Sequence, residues 1–153
     1  MFSFGKKKKA LLAPEVQELV VDAIKKAESK TTGEIRVYIE SKCDYVDAMD
    51  RAREIFVKLG MIHTVRRNAV LVYIAFDHQQ FAIMGDTEIY DKAGGSAFWN
   101  DAAKKLKQYL SGGMVAEGLV FCIEELGKAL AQHFPYDPDV AKNELPDEIV
   151  FGK

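Results

Sequence analysis

The sequence predicts an α/β fold in which a mixed β-sheet, built from a βαβ unit and a hairpin, is sandwiched between α-helices. Residues 34–40 alternate polar and apolar side chains, residues 69–76 are apolar throughout, and a segment with helical spacing separates them. A strand–helix–strand connection within one sheet makes its strands parallel and its crossover right-handed. The short turn at residues 77–79 then makes a third strand, residues 80–84, antiparallel to the second.

The first helix and the first strand follow from a change in hydrophobic period. Apolar side chains at helical spacing predict a helix over residues 14–29, with Pro14 in its first turn and lysines towards its end. Residues 31–33 interrupt this pattern. The alternation that follows in residues 34–40 predicts a strand with one buried face.

The second helix connects the first two strands. Asp44 or Asp47 can cap its N-terminus, and helical apolar spacing continues over residues 47–59 until Gly60 ends it. Residues 69–76 are apolar on both faces, which indicates a central strand that is covered on two sides.

Two further helices are predicted in the second half of the chain. Ser96 is the N-cap candidate of a helix over residues 96–110, and a fourth helix follows over residues 114–134. The fourth helix contains Gly118 and Gly127, and glycines inside a helix usually mark close packing against a neighbour.

These elements predict one α/β domain over residues 11–134, preceded by a basic tail (residues 1–10) and followed by an extended arm (residues 135–153). The length of 153 residues suits a single domain. The arm holds three of the four prolines and five acidic residues, so we expect it to lie on the surface. Three apolar side chains are expected to anchor it: Leu145, Ile149 and Phe151.

Charge and cysteine content exclude several classes of protein. Of the net charge of −2, the lysines at residues 6–9 account for +4, which leaves −6 for the rest of the chain. An acidic body suits cations or basic partners, and we expect no binding to nucleic acid. Cys43 and Cys122 lie far apart, which excludes a disulfide scaffold or a zinc ribbon.

The N-terminal residues predict neither a secretion signal nor a membrane anchor. The apolar stretch at residues 10–13 is short and is followed at once by Pro14 and Glu15. No stretch approaches the length of a membrane-spanning helix. We therefore expect a cytoplasmic protein, and a monomer.

Most catalytic signatures are absent from the sequence. The glycine motifs that bind nucleotides are missing, and no metal-ligand spacing links the histidines His63, His78 and His133. Asp137 and Asp139 match the paired aspartates of aspartate-nucleophile phosphatases. They follow a helix and Pro135 instead of ending a buried strand, so we interpret the match as chance.

One group of acidic residues remains, where the predicted third strand ends beside the starts of the first two. That edge collects Glu34 from the first strand, Arg66 and Arg67 before the second, and Asp86, Glu88 and Asp91 after the third. We call the four carboxylates the acidic rim. Carboxylates without nearby sulfur or imidazole suit Ca²⁺ or Mg²⁺. The alternative is that these acids cap the following helix and pair with Arg66 or Arg67.

Several segments, in order, resemble the TPM domain family, which includes thylakoid-lumen phosphatases, photosystem II repair factors and acetylcholine-receptor modulators. The resemblance rests on residues 32–35, on Arg67 and Asn68 before the apolar strand, on residues 85–91, and on residues 113–119. It extends over roughly residues 16–134, and this chain resembles a short bacterial member.

The resemblance implies an α/β sandwich that binds calcium or another divalent ion at its acidic loop, and plant relatives are described as acid phosphatases. It implies four candidate metal ligands: Glu34, Asp86, Glu88 and Asp91. Two departures concern this site. The loop begins Gly-Asp-Thr-Glu where many members have Gly-Tyr-Gly-Leu-Glu, and Ala69 stands where glycine is usual.

Three functions are compatible with these residues. The first is a divalent-cation-binding protein (Ca²⁺ or Mg²⁺) with a regulatory or interaction role. The second is a metal-assisted acid phosphatase for phosphomonoesters, in which Asp86 or Asp91 acts as base or nucleophile and Arg66 or Arg67 clamps the phosphate. The third is a protein-interaction module without metal dependence, which would use the acidic body and the arm.

Overall fold

A computed structural model describes residues 11–140 and 145–152, and the predicted basic tail lies outside them. The described strands are β1 (Glu34–Glu40), β2 (Ala69–Ala75), β3 (Gln80–Gly85) and β4 (Val150–Phe151). They form one mixed sheet in the order β3-β2-β1-β4. Strand β1 is parallel to β2 and β4, and β2 is antiparallel to β3. The predicted α/β class is therefore confirmed.

Five α-helices surround the sheet in the part of the chain that the structure describes. They are α1 (Pro14–Glu28), α2 (Ala48–Lys58), α3 (Thr87–Lys92), α4 (Ser96–Ser111) and α5 (Val115–His133), with a 3₁₀ turn at Met61–His63. The Asp47 side chain accepts a hydrogen bond of 2.9 Å from the Met49 N–H and caps α2. In α4 the cap residue is Gly95, one residue before the predicted Ser96. None of the described helices is long and apolar enough to cross a membrane.

The sheet has a hydrophobic core on each face because successive side chains of a strand point in opposite directions. Ile35, Val37 and Ile39 of β1 belong to the core that includes side chains of α1, α4 and α5. Tyr38 belongs to the opposite core, to which α2 and Leu145 of the arm contribute. The βαβ crossover and the later helices thus cover different faces.

Strand β1 differs from the prediction of a single buried face, because all seven of its residues are buried. Its polar side chains lie beneath α2 and the C-terminal arm, which cover the face that the alternation assigned to solvent. Arg36 and Glu40 are only 7% and 4% exposed. Charged groups at that depth need partners that replace water.

Glu40 obtains its partners from α2 and from the neighbouring strand. It accepts two hydrogen bonds of 2.9 Å from Arg51, through Nε and Nη2, and one of 2.5 Å from the Tyr73 hydroxyl. Burial raises the pKa of Glu40, but the hydrogen bonds from Arg51 and Tyr73 outweigh it, so the pKa lies below its ordinary value. Burial and the bond to Glu40 both raise the pKa of Tyr73.

The glycines of α5 confirm the predicted close packing. A Cβ at Gly118 would lie 2.6 Å from the Cβ of Tyr109 in α4, and one at Gly127 would lie 2.7 Å from the Cβ of Ala27 in α1. Both distances are too short for a real side chain. Helix α5 therefore lies in close contact with both neighbours because these two positions lack a side chain.

Two short elements, α3 and β4, were not predicted from the sequence. Strand β4 pairs Val150 with Tyr38 and Phe151 with Ile39, which makes part of the predicted arm a strand of the sheet. Among the predicted anchors, Leu145 is buried, but Phe151 is 41% exposed. The prediction for Phe151 is wrong because Val150 is the β4 residue that packs against the second core.

We expect Glu40→Gln to lower the free energy of unfolding by about 2–4 kcal/mol at pH 7, because it breaks a buried ion pair with Arg51. The pKa of Glu40 is lower in the folded state than in the unfolded state, where it is about 4.5. Glu40 therefore stabilises the fold fully above pH 4.5, and this stabilisation is lost as the pH falls through the folded-state pKa. The free energy of unfolding of the variant, measured with urea between pH 3 and pH 7, should therefore fall less in acid than that of the unmodified chain.

Glu54→Gln is the matched control for this experiment. Glu54 also pairs with Arg51, but its side chain is 49% exposed, so its removal should lower the stability much less than Glu40→Gln does. Equal losses in the two variants would contradict the importance of burial at Glu40.

Candidate functional site

The polar edge predicted from topology is present. The first residue of β1 pairs with the first residue of β2, Glu34 with Ala69, and Val70 pairs with Gly85 at the end of β3. The Asp86 N–H then donates a 2.9 Å hydrogen bond to the Ala69 carbonyl. The starts of two strands and the end of a third therefore share one edge, where the acidic rim was expected.

Asp86 lies at the centre of this edge, and both of its carboxylate oxygens accept hydrogen bonds. Arg67 donates through Nε to Oδ2 at 2.7 Å and through Nη2 to Oδ1 at 2.8 Å. The Thr87 N–H also donates to Oδ1 at 2.7 Å, so Asp86 caps α3. Asp86 is 4% exposed, whereas the Arg67 side chain is 42% exposed. The arrangement matches the alternative interpretation of this acid as a helix cap with an arginine partner.

The backbone of Arg67 reinforces this contact. Arg67 has a φ of 51°, in the left-handed region, and its carbonyl accepts hydrogen bonds from the N–H groups of Glu88 and Ile89 at 3.2 and 3.5 Å. The segment before β2 and the first turn of α3 are thereby joined through both backbone and side chain. The hydrogen bonds with Asp86 raise the pKa of Arg67.

The other rim residues are less concentrated than the topology predicted. Glu88 and Asp91 are exposed on α3. Glu34 is buried, and its Oε1 accepts a 2.5 Å hydrogen bond from the Leu145 N–H of the arm. Arg66 lies 3.9 Å from Asp137, and both side chains are largely exposed. Within residues 11–140 and 145–152, no three histidine, cysteine, aspartate or glutamate side chains are arranged to hold a metal ion.

A buried carboxyl group at the end of α1, Glu28, was not among the predicted site residues. Its Oε2 accepts a 2.8 Å hydrogen bond from the Ile35 N–H, and its side chain also bonds to Asp147 of the arm. A signal was present, because Val20, Ile24 and Glu28 recur every four residues on the buried side of α1. A glutamate in such a stripe needs a buried partner.

A groove of about 450 Å³ along the outer edge of β3 was also not predicted from the sequence. Residues of α2 form one wall, and residues of α3 and α4 form the other. The Trp99 ring lies against Gly85, where a Cβ would be 2.5 Å from the ring, and it stacks on Tyr90 with ring centroids 5.9 Å apart. The Trp99 Nε1–H donates to the Tyr90 carbonyl at 3.1 Å.

The backbone of β3 presents hydrogen-bonding groups to this groove. Strand β3 ends the strand order and has β2 as its one paired neighbour among the described strands. Because the Asp86 N–H points towards β2, the alternation of an antiparallel pair directs the N–H and C=O groups of Phe81, Ile83 and Gly85 outward. Three residues of the edge are therefore available for pairing with another strand.

Comparisons with known proteins match the whole fold. The family description "TPM domain" matches residues 6–129. The NMR structure of the BA42 protein from the psychrophilic bacterium Bizionia argentinensis is similar at 38% sequence identity and a TM-score of 0.85, over 95% of this chain and 99% of that chain. The N-terminal domain of cg2496 from Corynebacterium glutamicum has a similar fold at 17% identity and a TM-score of 0.64, over 89% and 84% of the two chains.

A comparison with curated proteins gives no match. The family match extends over most of the chain, and the structure contains the sheet and helices that the resemblance implied. The chain belongs to the TPM domain family.

Proposed function

We propose that this TPM domain is a protein-interaction module that binds an extended segment of a partner protein along the outer edge of β3. The observation that carries the proposal is an uncharged, six-residue edge strand at the base of a groove between α2 and α4. Addition of a strand to such an edge is a common mode of peptide recognition.

The two edges of the sheet differ in how they are protected. Proteins usually protect an edge strand with lysine, with proline or by covering it. The β1 edge is covered in part by β4, but Gln80–Gly85 contains neither a charged residue nor a proline. An edge strand without charge or proline favours association, which supports a binding role for β3.

The groove supplies apolar contacts on both sides of this edge. Its lining includes Met49 from α2, Phe81 and Met84 from β3, Tyr90 from α3 and Trp99 from α4. A partner strand of six residues is about 20 Å long and directs alternate side chains to opposite walls. We expect it to carry apolar residues at alternating positions.

Charge favours a basic partner segment. Asp47 lines the α2 wall, and Arg53 in the same wall already pairs with Asp50 at 2.7 Å. The residues after the N-terminal lysines carry a net charge of −6. A segment with lysine or arginine between its apolar residues therefore complements the groove.

The acidic rim supports a second proposal, the divalent-cation site predicted from the sequence. Asp86 and Glu88 lie within one short segment, and carboxylate oxygens suit Ca²⁺ and Mg²⁺. A cation at Asp86 would compete with Arg67 for the same oxygens. The phosphatase alternative uses the same residues, with Asp91 as the exposed carboxylate and the exposed part of Arg67 as the phosphate clamp.

We expect an acetylated peptide of alternating valine and lysine to bind the β3 groove, because it combines apolar contacts with basic charge. Trp99, the one tryptophan of the chain, should report binding by a saturable change in fluorescence, and the NMR amide signals of Phe81, Ile83 and Gly85 should shift. Two control peptides, one of alternating valine and glutamate and one of alternating valine and lysine interrupted by proline, should each bind at least tenfold more weakly than the valine–lysine peptide.

A charged edge provides the matched variant for this experiment. Met84→Lys should weaken binding about tenfold, whereas Gln108→Lys adds the same charge at an exposed position of α4 outside the groove lining and should have little effect. Unchanged Trp99 fluorescence and β3 amide signals at millimolar Val–Lys peptide would contradict the interaction proposal.

The cation proposal has a separate test. In a titration of Ca²⁺ and then Mg²⁺ followed by NMR, saturable shifts are expected at residues 86–91. Arg67→Gln should tighten binding by roughly tenfold, because it removes the competing cation from Asp86. Arg53→Gln is the control, and an absence of saturable shifts in both variants and in the unmodified chain would exclude a cation site at the rim.

A further inference from the structure

We propose that docking of residues 145–152 onto β1 takes up one proton, which the buried carboxyl pair Glu28–Asp147 holds, so that this segment is a pH-sensitive cover of the β1 edge. We call residues 145–152 the docked arm. The proposal concerns the opposite edge of the sheet from the β3 groove and is independent of it.

The docked arm contacts β1 along its length. The Leu145 N–H donates to Glu34 at the start of β1, and the Leu145 side chain is buried in the second core. Near the other end, Val150 pairs with Tyr38, and the Gly152 N–H donates a 2.8 Å hydrogen bond to the Ile39 carbonyl. Release of the arm would therefore expose the backbone edge of β1.

Between these two contacts the pairing changes from backbone to side chain. Strand β4 pairs Val150 with Tyr38 in parallel. If this register is extended by three residues towards the start of each segment, Asp147 lies opposite Ile35. At this point the Ile35 N–H donates to the Glu28 carboxyl at 2.8 Å, and Glu28 is hydrogen-bonded to Asp147. The Glu28 side chain thus lies between α1, β1 and the arm.

The hydrogen bond between two carboxyl groups requires a proton. Two carboxylate groups are acceptors only, so one of the pair must be protonated to act as donor. Glu28 is 4% exposed, whereas Asp147 is half-buried. Because burial disfavours the charged form, the proton belongs on Glu28, with Asp147 as the acceptor.

The surrounding charges support this assignment. Burial is the largest of the effects that raise the pKa of Glu28 to about 9, and the hydrogen bond to Asp147 and the charges of Asp147 and Glu34 act in the same direction. The Ile35 N–H acts in the opposite direction. The other charged groups in this environment are Arg36 on β1, whose pKa burial lowers, and Glu148 on the arm.

The dependence on pH follows from the difference between the docked and released states. With the arm docked, Glu28 keeps its proton up to about pH 9. With the arm released, Asp147 and the cover are gone, and the pKa of Glu28 falls towards its ordinary value of 4.5. Between these values docking takes up a proton, so the docking constant falls by up to tenfold for each unit of rising pH.

Hydrogen exchange of the full chain tests this inference. The Leu145 and Gly152 amides report docking, and their protection, corrected for the intrinsic exchange rate, should fall by up to tenfold per unit from pH 6 to pH 9. The β2 amides provide the internal control for global unfolding. Protection of the arm amides that does not change with pH would overturn the proposal.

Glu28→Gln removes the titration and keeps the geometry, because its amide can accept from the Ile35 N–H and donate to Asp147. Arm protection in this variant should be independent of pH, whereas Glu148→Gln, at an exposed position of the arm, should behave as the unmodified chain does. The same pH dependence in Glu28→Gln as in the unmodified chain would overturn the proposal.

Asp147→Asn keeps the proposal testable if Glu28→Gln does not fold. An asparagine can donate to an ionised Glu28, so the hydrogen bond no longer requires a proton and the pH dependence of arm protection should weaken, although burial still raises the pKa of Glu28. Persistence of the full dependence in Asp147→Asn would also overturn the proposal.

Discussion

Four of the seven residues of β1 carry ionisable side chains, and all four are at most 7% exposed. This burial is the constraint on which the rest of the structure depends. Helix α2 covers one end of the polar face and supplies Arg51 to Glu40, while the arm covers the other end and supplies the Leu145 N–H to Glu34. A strand with this composition cannot be central unless both elements are in place.

The general architecture could be predicted because its signals extend over many residues. The apolar run of β2, the turn after it and the helical spacing of α1, α2, α4 and α5 each determine one element. The two missed elements are short. Helix α3 has six residues, fewer than two turns, and β4 is a strand because of its pairing with Tyr38 and Ile39, not because of its own pattern.

The candidate site was less predictable because sequence spacing does not say which charges are already paired. The topology brought Asp86 to the expected edge, but its two hydrogen bonds with Arg67 depend on the left-handed turn at that arginine. Glu28 was overlooked because its partners, Ile35 and Asp147, lie on other elements. The groove along β3 depends on Trp99 reaching Gly85 from α4, a contact between segments that have no shared pattern.

The two glycine contacts of α5 have a mechanical consequence. One lies against Ala27, next to the carboxyl group that holds the arm, and the other lies against Tyr109, in the helix that carries Trp99. Neither contact has space for another atom, since even a methyl group would overlap with the neighbouring side chain. Helices α1, α5 and α4 therefore form one closely packed layer on the first core, and a larger residue at either position of α5 would push two of these helices apart.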